Sequence, residues 1–474
     1  PLVLLYASPV TQAYFARAGI DDKSAVQAWE HFLRKYKIPF MTTASVEALE
    51  RSAAPVLLLP SAVALSEREM QAVVAFRANG GGVLSTWQTG VFNEKGEARG
   101  YAFMESALDV KVAGSTEADE NDSFLIPSGD NPVSHYLPAG LRVWTERVKG
   151  WYPLRLAGQH TAARIMDWSR SAPEGKVTGG IVFGERGAPA QKASRAVAFG
   201  FPERLWTSAD AKAIESLAHN ALTWLLRIPD AYLAAWPHPY GSATVLAIDL
   251  ADTPGDTDLD TARLVGDLGG KASFFVLSEH AAGSADLLKK IPAQGHELGH
   301  LGDRFDGFKN QPPAVQVKRI DTMLAEMKAA GLDFASAGFH PPMESHDQAT
   351  ERALQERGFD YVIGGMDASE ARLPTPSSGA AAGGALRPLL ILPRTQNGPE
   401  DWLAEGDAAA GMKNFFQESD IAERMGGLSI LRIPGVTMLT GPQLAEIGAW
   451  LKQRRERMWL ASAAQVAGWW RARE

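Results

Sequence analysis

Cysteine is absent from the 474-residue chain. This absence excludes disulfide frameworks, thiolate nucleophiles and cysteine-ligated zinc sites. No run of apolar residues is long enough to span a bilayer as a helix. An excess of basic residues is also missing, because the net charge is −8. Nucleic-acid recognition requires a basic face, so the sequence argues against a nucleic-acid partner.

A signal peptide is not visible, and no initiator Met opens the chain. It begins at Pro1 and enters a strand-like apolar run at 2–6 at once. We therefore expect either a mature form or a part of a longer protein, and an upstream export or anchor segment could have been removed.

The length and composition of the chain are those of a protein with more than one globular domain. Hydrophobic residues make up 45% and charged residues 22%, as in ordinary soluble proteins, and 474 residues exceed one domain. The segment 229–241 holds three prolines and marks a boundary. We expect one domain at 1–229 and a second at 236–474.

The first domain begins with alternating strand and helix signals. Strand-like runs at 2–6, 56–60 and 83–86 predict buried strands, and Ser66 with Glu69 forms a capping box that starts a helix. These signals predict an open parallel sheet with helices on both faces. Residues 115–205 are rich in turn signals and predict a β-rich extension, which a helix at about 208–226 follows.

The second domain repeats strand–helix units, which predict a distorted (β/α) barrel. Functional groups are then expected at the carboxyl ends of the strands. A helix is predicted at 314–330, and the segment 374–384 is predicted to be a mobile loop near the barrel mouth. The predicted strands are 244–250, 272–277, 336–339, 361–364, 388–392 and 428–433.

Tryptophans recur near the end of the chain on a predicted C-terminal helix. Trp459, Trp469 and Trp470 could stack on sugar rings. Their helical spacing favours the other interpretation, in which they dock the helix onto the domain.

Several segments of the second domain together resemble the NodB-type polysaccharide deacetylase family. In chain order they are LAIDL at 246–250, GKASFFV at 270–276, GHELGHLGDRF at 295–305, GFHPP at 338–342, GFDYV at 358–362 and GLSILRIP at 427–434. The resemblance implies a barrel of the deacetylase type.

Active members of that family hold a divalent metal with one Asp and two His, and a second Asp acts as the base. The resemblance places the base on Asp249, but it places the metal ligands on Leu250, Leu301 and Phe305. None of these three side chains can donate a lone pair, so no metal is expected at this position. We expect a dry, apolar pocket here, at the same end of the barrel as Asp249.

The remaining catalytic positions of the family are also changed. An Arg that orients the base corresponds to His340, and a late His that acts as the acid corresponds to Pro434. Asp249 and His340 are therefore predicted to be a vestigial or residual catalytic pair. Without a metal, Asp249 must find hydrogen-bond donors, such as backbone amides or His340, or stay open to water.

Other polar residues near the expected barrel mouth are candidates for ligand binding. They are Asp252, His300, Asp303, Glu344 and His346. As an alternative, such residues could hold zinc or a similar divalent metal at a shifted site. His300 precedes the expected ligand position by one residue, and on a strand that shift points the side chain to the other face.

The first domain resembles the glutamine-amidotransferase-like domains of some sugar-processing enzymes. The resemblance rests on LLLPS at 57–61, the helix after it, GGGVL at 80–84 and QTG at 88–90. It implies a flavodoxin-like fold but no activity, because the required cysteine is absent. A structural role, including oligomer contacts, is the expected one.

Three functions remain open at this point. The first is a catalytically inactive deacetylase-like protein that binds a polysaccharide or amino-sugar glycan, or serves as a scaffold with other exopolysaccharide proteins. The second is an active carbohydrate deacetylase with a rearranged or metal-independent site. The third is a structural assembly subunit. All three agree with a bacterial protein of the periplasm or the extracellular space.

Overall fold

The fold was taken from a computed structural model of the chain. The structure describes residues 2–20, 23–116, 124–166, 176–187, 193–206, 211–333, 337–364, 373–377, 387–394, 396–403, 406–434 and 439–473. The chain divides into two compact units, one of 1–137 with 141–232 and one of 138–140 with 233–474. Among these residues no helix combines the length and the apolar character that crossing a membrane requires.

The first unit is built on one mixed sheet. Its strands are β1 (Val3–Tyr6), β2 (Phe40–Thr43), β3 (Val56–Leu59), β4 (Gly82–Thr86), β5 (Lys111–Ser115), β6 (Phe124–Pro127), β7 (Val143–Trp144), β8 (Leu154–Ala157), β9 (His160–Met166), β10 (Gly179–Arg186) and β11 (Ser194–Phe199). Its helices are α1 (Pro9–Arg17), α2 (Lys23–Lys35), α3 (Val46–Glu50), α4 (Glu67–Ala78), α5 (Ala102–Leu108) and α6 (Ala211–Leu225).

The sheet joins a parallel half to an antiparallel half. The order is β2-β1-β3-β4-β11-β10-β9-β6-β7, and the pairs from β2 to β11 are parallel. From β11 onward the pairs are antiparallel. Helices α2 and α6 pack on one face, and α1, α3, α4 and α5 pack on the other. The expected parallel sheet with a β-rich extension is confirmed, and the extension continues the same sheet.

The capping box predicted for the first unit is present. The Ser66 hydroxyl accepts from the Glu69 amide, and the Glu69 carboxylate accepts from the Ser66 amide. Glu69 also accepts from the Tyr6 hydroxyl at 2.8 Å and the Ser8 hydroxyl at 2.7 Å. The cap therefore ties the start of α4 to the end of β1.

A buried carboxyl group joins the carboxyl ends of β3 and β4 to α2. Glu203 accepts from the Trp29 indole at 2.7 Å and from the hydroxyls of Ser61 and Thr86, both at 2.5 Å. Burial raises the pKa of Glu203, although these hydrogen bonds oppose the shift. Glu203 and Ser61 are closed to solvent, so these hydrogen bonds hold the buried elements of the first unit together.

The second unit is a curled, mainly parallel sheet with helices around it. Its strands are β12 (Ser242–Leu250), β13 (Ser273–Leu277), β14 (Glu297–Gly302), β15 (Gly338–Phe339), β16 (Tyr361–Gly364), β17 (Thr375–Pro376), β18 (Leu390–Pro393), β19 (Leu428–Pro434) and β20 (Met458–Leu460). Its helices are α7 (Asp258–Asp267), α8 (Ala281–Leu288), α9 (Lys290–Ala293), α10 (Pro313–Ala329), α11 (Gln348–Glu356), α12 (Pro399–Leu403), α13 (Ala408–Met425), α14 (Gly441–Arg454) and α15 (Ala463–Arg471).

The strand order of this sheet is β17-β18-β16-β15-β14-β13-β12-β19. All pairs from β18 to β19 along this path are parallel, and β20 also lies parallel to β12. The expected distorted barrel of βα units is confirmed. Of the predicted mobile loop, only 374–377 is described, and 375–376 form β17; the rest lies outside the described residues.

One end of the barrel is closed by α15 through a buried carboxylate. Glu297 accepts from the Tyr361 hydroxyl at 2.5 Å, the Ser273 hydroxyl at 2.7 Å and the Ala464 amide at 2.9 Å. The Ser273 hydroxyl in turn accepts from the Ala463 amide at 2.7 Å. A negative charge at a helix N-terminus is favourable, so these bonds dock the first turn of α15 against the strands.

The tryptophans near the end of the chain also contribute to this docking. The Trp469 indole donates to the Ala235 carbonyl at 2.9 Å, and the Trp470 indole donates to the Pro374 carbonyl at 2.7 Å. Trp470 also packs near Trp236, with ring centroids 5.5 Å apart. For Trp469 and Trp470 on α15 the structure therefore matches the docking interpretation, whereas Trp459 lies on β20 and not on the predicted helix.

Replacing Glu297 by alanine should destabilise the second unit. The change removes the acceptor of two hydroxyls and a helix amide, and we expect the free energy of unfolding to fall by about 3 kcal/mol. Chemical denaturation followed by circular dichroism measures the loss. Replacing the exposed Glu446 on α14 by alanine is the control and should change stability by less than about 0.5 kcal/mol. Equal stability of the two variants would contradict the role given to Glu297.

Candidate functional site

The candidate site lies at the carboxyl ends of the barrel strands, where strand alternation selects the side chains that face inward. On β12, Ala243, Val245 and Ala247 belong to the interior cluster, together with Leu428 and Ile430 of β19. Side chains two residues apart share a face. Asp249 on β12 and Arg432 on β19 continue these two series, so both point into the barrel mouth.

Asp249 is held between two cationic groups. Its Oδ2 accepts from Nε of Arg432 at 2.8 Å, and its Oδ1 lies 2.7 Å from Nδ1 of His340. The carboxylate is only 3% exposed. Burial alone raises the pKa of Asp249, but the nearby charges of His340 and Arg432, together with the hydrogen bond from Arg432, outweigh it and hold this pKa below its ordinary value.

His340 directly follows β15 and is fully buried. Its ring lies edge-on to Phe275, with centroids 5.3 Å apart, and its Nε2 is 3.9 Å from Oε1 of Glu344. Burial lowers the pKa of His340, but Asp249 and Glu344 raise it to about 9. Neither ring nitrogen has an aligned hydrogen-bond partner among the described residues, so the contact with Asp249 is an ion pair between close charges.

Glu344 extends this line of charges away from Asp249. Its carboxylate pairs with Nε of Arg394, which directly follows β18. Burial raises the pKa of Glu344, but the contacts with His340 and Arg394 hold it below the ordinary value. Met343 and Glu344 are both left-handed, with φ of 56° and 54°. Such strain in residues other than glycine persists only where surrounding contacts fix it, and here Glu344 is fixed by His340 and Arg394.

The mouth thus holds a row of alternating charges. In spatial order its members are Arg432, Asp249, His340, Glu344 and Arg394. Sequence reasoning identified the middle three but missed both arginines. Arg432 could have been found by continuing the inward alternation of Leu428 and Ile430, and Arg394 as a cation that follows a strand.

Two predicted ligand-binding residues are engaged elsewhere. His300 packs edge-on to Phe359 with centroids 5.4 Å apart, and burial lowers its pKa to about 4. Its side chain therefore lies on the helix-facing side of β14, as the one-residue shift implies. Asp303 accepts from Nε of Arg319 at 2.8 Å and from Arg304 at 2.9 Å. It anchors the loop after β14 to α10 and is therefore not part of the site around Asp249.

The other two predicted ligand-binding residues differ in exposure. Asp252 is exposed beyond the end of β12. His346 is half-buried, with Nε2 3.6 Å from Glu351, and burial lowers its pKa. Of the predicted set, only Glu344 joins Asp249 and His340 in the row of charges.

The expectation of one apolar pocket at the former metal position is wrong. Leu250 packs in the outer cluster beneath the helices, because it follows the inward Asp249 on the same strand. Leu301 packs in the barrel interior instead. Phe305 lies three residues beyond β14, after the chain has turned, and is 47% exposed. Pro434 remains the backbone register partner of Asp249.

The residues at these positions do not fit a divalent metal. Leucine and phenylalanine offer no lone pair, and their side chains point in different directions. Among the described residues, no group of three or more His, Asp or Glu side chains could hold a metal ion. The cationic groups that contact Asp249 are the side chains of His340 and Arg432.

Part of the second unit resembles a known protein family. Residues 242–362 match the family model named polysaccharide deacetylase. The matched segment contains Asp249, His340 and Glu344 of the row of charges. No curated protein matches the chain.

Solved structures resemble the chain at low sequence identity. Agd3, described as a novel carbohydrate deacetylase, is 13% identical, and the match covers 99% of this chain and 87% of Agd3 with a TM-score of 0.46. PuuE allantoinase is 14% identical over 51% of this chain and 94% of its own, with a TM-score of 0.43. A Mycobacterium smegmatis protein assigned as a polysaccharide deacetylase is 20% identical. The match covers 52% of this chain and 95% of that protein, with a TM-score of 0.42.

The ion pair between His340 and Asp249 predicts that the second unit becomes less stable as the pH rises into the alkaline range. The pKa of His340 is about 9 in the fold and 6.5 as the ordinary value. The protonated ring therefore stabilises the fold fully below pH 6.5, and this contribution, about 3 kcal/mol, is lost as the pH rises to about 9. Denaturant unfolding of the second unit from pH 6 to 10 measures the loss.

The control for this prediction is a pair of histidine variants. His340→Gln cannot change its charge, so its stability should depend much less on pH between 6.5 and 9. His31→Gln, an exposed substitution on α2, should keep the wild-type dependence. The same slope in His340→Gln and in the wild type would show that another group causes the loss.

Proposed function

We propose that this chain is a deacetylase-like protein that does not hydrolyse glycans and instead binds them or acts as a scaffold. The setting we propose is exopolysaccharide biosynthesis, modification or export in the bacterial periplasm or extracellular space. The polysaccharide deacetylase domain at 242–362 supports a glycan as the ligand class. The first unit, which we propose to be amidotransferase-like in fold, has a structural role and can mediate oligomer contacts.

The observation that carries this proposal is the pairing of Asp249 with two cations. A general base or acid works best when its pKa lies near the operating pH. The pKa of Asp249 is lowered and that of His340 is raised to about 9, so each shift moves the group away from neutrality. At pH 7 the carboxylate is a weak base, and the imidazolium is held by the ion pair.

Burial adds a second argument against catalysis by this pair. Asp249 is 3% exposed and His340 is fully buried, so neither side chain reaches a ligand in solvent. A ligand at this end of the barrel would instead meet exposed residues of the rim. These include Asp252, Phe305 and Met343. The row of charges then holds the loops that carry the rim in place.

The competing function is a metal-independent hydrolase that uses Asp249 with His340. Acetate release from N-acetylglucosamine oligomers distinguishes the two functions. We expect the wild type to release no more acetate than Asp249→Asn, whether Zn²⁺ or a chelator is added. Asp267→Asn is the matched control, since it makes the same change at an exposed position at the end of α7, away from the barrel mouth. If Asp249→Asn abolishes acetate release and Asp267→Asn retains it, the hydrolase is established and our proposal is refuted.

A further inference from the structure

A groove of about 500 Å³ lies at the opposite end of the barrel from Asp249. It opens beside the amino ends of β12 and β13 and along β20. Asp249 is separated from the first residue of β12 by seven residues, or roughly 23 Å of extended strand. The groove is therefore distinct from the row of charges.

Two aromatic side chains line this groove. Trp459 lies between the buried Met458 and Leu460 on β20, so strand alternation turns it to the opposite side. Tyr240 precedes β12, and both rings pack partly against the interior cluster while remaining half-exposed. Partly exposed rings of this kind offer an apolar surface to the C–H face of a sugar ring.

Unpaired charges lie beside the two rings. Lys271, Arg455 and Glu456 also line the groove, and all three are exposed. Among the described residues none of the three makes an ion pair, so the groove carries one more positive than negative charge. This local balance contrasts with the net charge of −8 for the chain.

The absence of side chains at two glycines helps to keep the groove open. Gly269 has a φ of 74°, which favours glycine, and a Cβ there would enter open space. A Cβ at Gly270 would lie 2.4 Å from the Leu460 side chain, so a larger residue would push this wall out of place.

We propose that this groove binds an acidic oligosaccharide, with sugar rings against Trp459 and Tyr240 and a sugar carboxylate near Lys271 and Arg455. The inference rests on the proposed glycan-binding function and specifies a surface and a charge class for it. A volume of about 500 Å³ is in the range of small-ligand sites. Charge-assisted hydrogen bonds from Lys and Arg to a carboxylate supply the preference for an acidic sugar.

Isothermal titration of the full chain with a galacturonic acid tetramer tests the proposal, with an N-acetylglucosamine tetramer as the neutral probe. We expect the acidic probe to bind more tightly than the neutral one and its affinity to fall as salt is added. Lys271→Glu should weaken binding of the acidic probe about tenfold, the effect of losing one charge-assisted contact. Lys452→Glu, the same charge reversal at an exposed position on α14 outside the groove, should bind as the wild type does.

A second variant tests the aromatic surface. Trp459→Ala should weaken binding of both probes, and circular dichroism should show that the fold persists. A wild type that does not bind the acidic tetramer overturns the groove proposal. If neither Lys271→Glu nor Trp459→Ala changes the binding of the probes, the groove proposal is also overturned. The proposed glycan-binding function would then remain, at another surface.

Discussion

The neutralisation of Asp249 is the constraint on which the barrel mouth depends. A carboxylate in the interior of a barrel is costly unless a cation and hydrogen bonds offset its charge. Here Arg432 and His340 supply the offset from two other strands, so the ends of β12, β15 and β19 are drawn to one point. Both oxygens of the Asp249 carboxylate are thus occupied by side chains of the protein and are not available to bind a metal ion.

Much of the architecture could be predicted from the sequence because it depends on local patterns. The run that becomes β3 is short and continuously apolar, and those that become β12 and β19 are mostly apolar, as is typical of buried parallel strands. The capping box at Ser66 is a four-residue signal, and its geometry is satisfied locally. Helix α10 differs from its prediction by one residue at each end.

The site was harder to predict because it depends on directions that an ungapped motif match does not give. Leu250 was aligned with a metal ligand, yet it follows an inward residue on a strand and must face the helices. Phe305 was expected to line an apolar pocket with Leu250 and Leu301, but the chain leaves the strand at Gly302. The partner of Asp249 that was missed, Arg432, lies 183 residues away along the chain, and only the sheet order brings the two together.

The position of β12 in its sheet has a consequence for how the second unit is made on the ribosome. This strand is the first of its sheet to be synthesised, yet its neighbours include β19 and β20, which are the last. Helix α15, which closes one end of the barrel, is synthesised later still. During synthesis, the edge of β12 that pairs with β19 therefore stays unpaired until nearly two hundred further residues have been added. Such long-range pairing slows folding and exposes strands to aggregation, so this domain is one for which we expect chaperones to matter during synthesis.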